Sequence, residues 1–212
     1  MSTWIWPVRE TMITLIRHGE TAWNLEGRWQ GHADVPLSDR GRIQARLLAV
    51  RLEAEGRQVD HLYASDLQRA WETALLIAPA LKVPVQPLPA MREVHIGAWS
   101  GLTTPEIKER FGEDFWLAVQ QGGKRGEHGE SDHEFTTRIG SALVALAEKH
   151  RGERLVVVSH GAAIRIAVEH LTGPVDFQPE HIRNTSLTTL VFDGTAWQLC
   201  ALNDHNHLND LA

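Results

Sequence analysis

Arg17-His18-Gly19-Glu20-Thr21 is the stretch whose residue types could do chemistry. An imidazole beside a guanidinium can attack an anionic, electrophilic centre while the Arg fork neutralises its oxygens. That chemistry is phosphoryl transfer through histidine. Taken alone, Arg-His-Gly is equally the signature of a hydrogen-bonded structural histidine at a strand end. Repetition moves the reading: His160-Gly161 closes a second aliphatic run, Leu155-Val156-Val157-Val158. Two such tips side by side would put His18 and His160 across one phosphate, at the carboxyl edge of an α/β sheet where ligands bind. Arg69 falls in the first turn of a predicted helix, whose free N–H groups favour anions; the bland alternative is an exposed Arg paired with Glu72 or Asp66. Asp204, His205 and His207 form a second polar cluster, but two histidines at i and i+2 without a distant partner are weak ligand evidence, and no metal is expected.

The elements that must position these residues follow from periodicity. Residues 11–16 read as a buried strand ending at the signature, and Gly19 lets the chain turn beside the imidazole without a Cβ in the way. Ser38 is a plausible N-cap for a helix to about Glu55, with Ile43, Leu47, Val50 and Ala54 as its apolar stripe. A strand over 61–65 and a helix from Asp66 to about Leu81, capped by Ser65-Asp66, carry Arg69 off the apolar stripe of Leu67, Ala70, Trp71, Ala74 and Ala78. Residues 83–88 read as a short edge strand between prolines. Two short helical segments over 104–111 and 113–121, a charged loop over 122–129, and a helix over 131–150 follow. The strand over 154–159 is the strongest in the chain and leads into a helix over 162–170; a hairpin around Asp193-Gly194 ends the pattern.

At 212 residues, with 42% hydrophobic and 23% charged residues, the chain suits one α/β domain. A formal charge of −6 lacks the basic footprint of a nucleic-acid binder, so an anionic ligand must be held by local Arg and backbone donors. Cys200 is the lone cysteine, and no stretch has the length of a signal-peptide core or a membrane span. These features predict a cytoplasmic protein with no nucleic-acid or membrane partner. The Trp-bearing N-terminus and the C-terminal tail offer surfaces for a homodimer.

Arg17-His18-Gly19-Glu20-Thr21 with Trp23-Asn24, together with Arg69, Glu93 and His160, resembles the signature of the histidine phosphatase superfamily, the phosphoglycerate-mutase-like proteins, over nearly the whole chain. The resemblance implies a single three-layer α/β domain over 1–212, its mostly parallel central sheet flanked by helices, with a small helical insertion at 103–130 covering the active site and choosing the substrate. It implies that His18 is the nucleophile, that Arg17, Arg69 and His160 hold the phosphoryl oxygens with Asn24, and that Glu93 protonates the leaving oxygen. That last role requires a raised carboxyl pKa near neutral pH. Gln30 and Gly31 at the phosphate pocket, with Thr21 and Gly161, complete the implied binding residues. No cofactor or metal is implied.

The implied activity is metal-independent hydrolysis of a small phosphorylated metabolite through a phosphohistidine. A cofactor-dependent phosphoglycerate mutase and a non-enzymatic phospho-ligand binding module are the alternatives. Val94-His95-Ile96-Gly97 follows Glu93 where the mutase pattern has a Tyr, the only Tyr is Tyr63, and the region 103–129 is shorter than the mutase insert. These departures favour hydrolysis.

Overall fold

The computed structural model describes residues 10–126, 128–177 and 182–209. The Trp-bearing N-terminus and the end of the tail, expected to form an interface, lie outside these residues. Six strands, β1 (Thr11–Arg17), β2 (His61–Ala64), β3 (Val85–Pro87), β4 (Arg154–Ser159), β5 (Leu187–Phe192) and β6 (Trp197–Asp204), form one sheet in the order β3-β2-β4-β1-β5-β6. The first four run parallel, while β5 and β6 join antiparallel at one edge. The helices are α1 (Ala22–Leu25), α2 (Asp39–Ala54), α3 (Gln68–Leu81), α4 (Thr104–Phe111), α5 (Glu113–Gln120), α6 (Asp132–Lys149) and α7 (Gly161–Thr172).

Alternation along the strands makes the three layers. Val156 and Val158 of β4, with Ile16 of β1, pack on α2 and α3 through Leu48, Leu52, Ala70, Ala74 and Ile77. Leu155 and Val157, with Ile13 and Leu15, face α6 and α7 through Ile139, Leu143, Ile164 and Val168. A period-two strand buried on both faces reads as the continuous aliphatic run seen in the sequence. Register places Arg17 opposite Ser159, so the two His-Gly tips emerge side by side.

Two sequence expectations are corrected. The inward face of α2 is Gly41, Gln44, Ala45, Leu48 and Leu52, whereas Ile43 and Val50 are 46% and 64% exposed. The helix is rotated because Gly41 packs directly on the Glu20 backbone and Gln44 Oε1 accepts the Glu20 N–H at 2.9 Å. α3 starts two residues later than expected: Asp66 is held by Arg92 at 2.6 Å, and the Gln68 N–H donates instead to Asp34 Oδ1 at 2.6 Å. Arg69 consequently lies on the buried face and pairs with neither Asp66 nor Glu72, the latter being taken by Arg42.

The segment 103–130 takes the following place on the fold. Its helices form where expected, with Thr103 capping α4 in a box with Glu106, and Phe115 and Trp116 pack as core residues around the fully buried Trp99. That aromatic burial folds the segment onto the core, and none of its described residues lines the cavity of the candidate site. It buttresses the wall from behind: Trp29 Nε1–H donates to Thr104 Oγ1 at 3.0 Å, and Glu130 Oε2 accepts the His95 N–H at 2.8 Å.

Candidate active site

The signature loop is fixed by close backbone contacts. A Cβ on Gly19 would stand 2.5 Å from the Gly41 carbonyl oxygen, and one on Gly41 would stand 2.1 Å from that of Glu20. Glycine at both positions is what allows β1's exit to pass this close to the start of α2. The Gly19 N–H donates to Thr73 Oγ1 at 3.0 Å, and the Thr73 hydroxyl donates to the Arg69 carbonyl at 2.7 Å, tying the loop to the helix that carries Arg69. The His18 N–H donates to Ser159 O at 2.9 Å, and its carbonyl accepts from Asn184 Nδ2 at 2.9 Å.

His18 is 3% exposed, and its Nδ1 lies 2.7 Å from the Gly19 carbonyl. A carbonyl only accepts, so Nδ1 carries the proton and Nε2 keeps the lone pair. Burial first, then the Arg69 and Arg17 guanidiniums, hold its pKa well below the ordinary 6.5. His18 is therefore neutral and oriented at neutral pH, with a free lone pair on Nε2. His160 stands beside it, the ring centroids 5.2 Å apart, and burial followed by Arg69 keeps it neutral as well. Ser65 Oγ accepts the Leu67 N–H at 3.4 Å, leaving its hydroxyl proton for His160 Nε2 at 2.8 Å. The ring proton then sits on Nδ1, which is buried without a protein partner.

Two buried guanidiniums supply the positive field. Arg17 Nη1 donates to Ile182 O at 2.5 Å; Arg69 donates to Ala33 O and Gly31 O, both at 2.8 Å. Carbonyls fix both forks without neutralising them, and each Nε is a buried donor with no protein partner. Burial lowers the Arg69 pKa to about 10, with Glu93 and Asp34 opposing, so it remains charged at neutral pH. Burial likewise lowers that of Arg17, opposed by Glu93. Glu93 lies in the bend after residues 89–91: its Oε2 accepts the Ala162 N–H from the first turn of α7 at 3.1 Å, and its Oε1 accepts the Val94 N–H at 3.0 Å.

Arg17, His18, Arg69, Glu93, Asn24, Gln30, Gly31 and Gly161 all line one cavity of about 660 Å³. Gly161 packs its backbone over Arg17, and Gly31 adopts φ +50° where a Cβ would strike the Ile96 side chain at 2.4 Å. Asn24 accepts the Thr21 N–H and hydroxyl on Oδ1, both at 3.1 Å, which leaves its amide NH2 as the group it can offer the cavity. Two expected residues stand back. His160 is fully buried with its ring beside that of His18 and is not in the lining, and Thr21, expected to bind substrate, is fully buried as the N-cap of α1, where its hydroxyl is spent on Asn24. The Asp204, His205 and His207 cluster is engaged with other residues, Asp204 being taken by Arg51 at 2.6 Å and His207 by Thr185 at 2.9 Å.

Sequence reasoning passed over the groups that hold the Glu93 bend. Arg138 Nη1 donates to Ala90 O and Arg92 O at 2.8 and 3.0 Å, its Nη2 donates to Glu93 O at 3.2 Å, and Glu130 holds the guanidinium at 2.7 Å. His32 Nε2–H reaches the same Glu93 carbonyl at 2.7 Å. A cation beside Phe135 and Ile139, on the inward side of an amphipathic helix, was the available signal for Arg138. Arg28 and Arg165 also line the cavity, Arg165 stacked 5.7 Å over Phe177.

The profile of the histidine phosphatase superfamily (branch 1) matches residues 13–205. The chain is 39% identical over 207 residues to phosphoglycerate mutase-like protein 4 of Arabidopsis thaliana, covering 93% of this chain and 87% of that one. It is 35% identical over 204 residues to the metal-independent phosphoserine phosphatase of the same plant, covering 95% and 84%. A crystal structure of phosphoserine phosphatase from Entamoeba histolytica in complex with 3-phosphoglyceric acid superposes with a TM-score of 0.81 at 31% identity, covering 93% of this chain and 99% of that one.

Proposed function

The chain belongs to the histidine phosphatase superfamily, branch 1, and from that premise we propose that it is a metal-independent phosphatase that hydrolyses small phosphomonoesters through a phosphohistidine on His18. The observation that carries this reading is the tautomer lock: Nδ1–H on the Gly19 carbonyl leaves Nε2 as a neutral nucleophile beside two carbonyl-anchored guanidiniums. In the first step Nε2 attacks phosphorus in line, the ester P–O bond breaks, and Glu93 passes a proton to the departing alkoxide. Positive charge gathering on the ring is stabilised by the Nδ1–H hydrogen bond. The Nε donors of Arg17 and Arg69 and the Asn24 amide meet the equatorial oxygens, preorganised charge that costs no rearrangement during reaction, and the buried, neutral His160 packs against the His18 ring. In the second step Glu93 takes a proton from water, the hydroxide attacks phosphorus, and the P–N bond breaks to return neutral His18 and phosphate.

Relatives named for phosphoserine and a neighbour holding 3-phosphoglyceric acid support a small carboxylate-bearing phosphomonoester as substrate. Phosphate release from O-phosphoserine, 3-phosphoglycerate and an aryl phosphate, by chelator-treated protein, tests the proposal, with 3-phosphoglycerate followed for isomerisation in parallel. Release undiminished by chelation supports it. Isomerisation without release would make the chain a mutase, and inactivity on all three with retained phosphate binding would make it a binding module.

A further inference from the structure

Where β2 and β4 begin, at the sheet edge opposite the cavity, three side chains able to ligate a metal converge. His61 opens β2, His150 follows α6, and Glu153 immediately precedes β4. Glu153 Oε2 lies 3.0 Å from His61 Nε2 and 2.7 Å from His150 Nδ1, and the three ligand atoms fall within 4.8 Å of one another. The far nitrogen of His150 is held too: Tyr63 OH lies 2.9 Å from its Nε2. A ring anchored through one nitrogen while the other faces the shared carboxylate, as His150 is, has the orientation of an imidazole ligand.

The backbone beneath is hydrogen-bonded to the sheet and the end of α6. The Glu153 N–H donates to His150 O at 3.1 Å, the Met12 N–H donates to Glu153 O at 3.0 Å, and the Thr11 hydroxyl donates to His150 O at 3.3 Å. His150 is nearly buried, while the Glu153 and His61 side chains are 42% and 29% exposed, which gives an ion a way in. A tetrahedron on metal–ligand bonds of about 2.0–2.1 Å sets its ligand atoms about 3.3 Å apart. A few tenths of an ångström of movement by the exposed carboxylate opens the two Glu153 spacings to that value, and the two imidazole nitrogens, within 4.8 Å of each other, close toward it by up to about 1.5 Å.

We propose that this cluster binds one divalent ion of the zinc class through His61 Nε2, His150 Nδ1 and the Glu153 carboxylate, tying the end of α6 to β2 and β4. Two imidazole nitrogens and one carboxylate oxygen suit Zn²⁺, Co²⁺ or Ni²⁺, whereas Mg²⁺ and Ca²⁺ take oxygen sets. The site lies apart from the catalytic groups: β2 reaches them only at its other end, where Ser65 meets His160.

The test is a titration of metal-stripped full-length protein with Zn²⁺ against a chromophoric chelator. Wild type is compared with His61→Ala, Glu153→Gln, Tyr63→Phe and His18→Ala, with far-ultraviolet circular dichroism checking the fold of each. Wild type and His18→Ala are expected to take up a single equivalent. Tyr63→Phe, which loosens only the outer support, loses about 10- to 100-fold in affinity, and His61→Ala and Glu153→Gln lose at least as much. Zn²⁺ raises the thermal midpoint of wild type and leaves that of His61→Ala unmoved. The proposal is overturned if wild type takes up no tight equivalent, if His61→Ala and Glu153→Gln bind like wild type, or if His18→Ala alone loses the ion.

Discussion

Burial and two neighbouring guanidiniums keep His18 neutral as pH falls through the range in which free histidine takes up its proton. The lone pair on Nε2, the nucleophile of the proposed reaction, thus persists well below pH 6.5. After correction for substrate ionisation, kcat/KM is expected to show no loss centred near 6.5; an acid limb centred there would mean that the ring titrates as if exposed. Arg69 is the second residue whose environment dictates a result. Its guanidinium is 1% exposed, held by two carbonyls and still charged, so Arg69→Ala removes a preorganised donor. Loss of such a donor costs on the order of 2.7–4 kcal/mol of barrier, about 10²- to 10³-fold in kcat. Steady-state kinetics beside a circular dichroism spectrum checks this; near-normal turnover would take Arg69 out of the site.

The elements show which parts of the site were legible from sequence. Strand, His-Gly and turn are local features, written in consecutive residues, so both His-Gly tips and the first turn bearing Arg69 could be placed without coordinates. The inward face of α2 was misplaced because it is set by distant partners, Gly41 on Glu20 and Gln44 on the Glu20 N–H, which periodicity does not contain. The cap of α3 was missed for the same reason, Asp34 reaching the Gln68 N–H from another loop. Arg138 and His32, which grip the Glu93 backbone, are likewise far from it in sequence. Two element-level tests follow. Gly41→Ala, which adds a methyl 2.1 Å from a backbone oxygen, is expected to lower stability by about 1–3 kcal/mol and to depress turnover by shifting the signature loop. Asp34→Ala removes the borrowed cap and should cost about 1 kcal/mol in urea unfolding; no change would show that the α3 start holds without it.

For the whole molecule, an acidic chain with a formal charge of −6 concentrates its buried cations in one cavity, and an anion is drawn there by local rather than net charge. The same burial makes stability depend on pH. His18 and His160 sit well below their ordinary pKa and His207 falls to about 4, burial being the first cause for each. Below about pH 6.5 the unfolded chain binds more protons than the folded one, so stability is full above that value and is lost as pH falls toward the folded pKa values. Each such group contributes about 1.4 kcal/mol per pH unit within its window. Unfolding free energies measured from neutral pH downward should fall less steeply for His207→Asn between about 6.5 and 4 than for wild type; equal slopes would contradict the burial assigned to that ring. No helix among the described residues is long and apolar enough to cross a membrane. The central claim, covalent phosphoryl transfer to His18, is tested most directly by quenching the reaction of a ³²P-labelled phosphomonoester within the first turnover. The account predicts base-stable, acid-labile label on the peptide carrying His18 in wild type and none in His18→Ala. Turnover by wild type without label on that peptide, or undiminished turnover by His18→Ala, would contradict it.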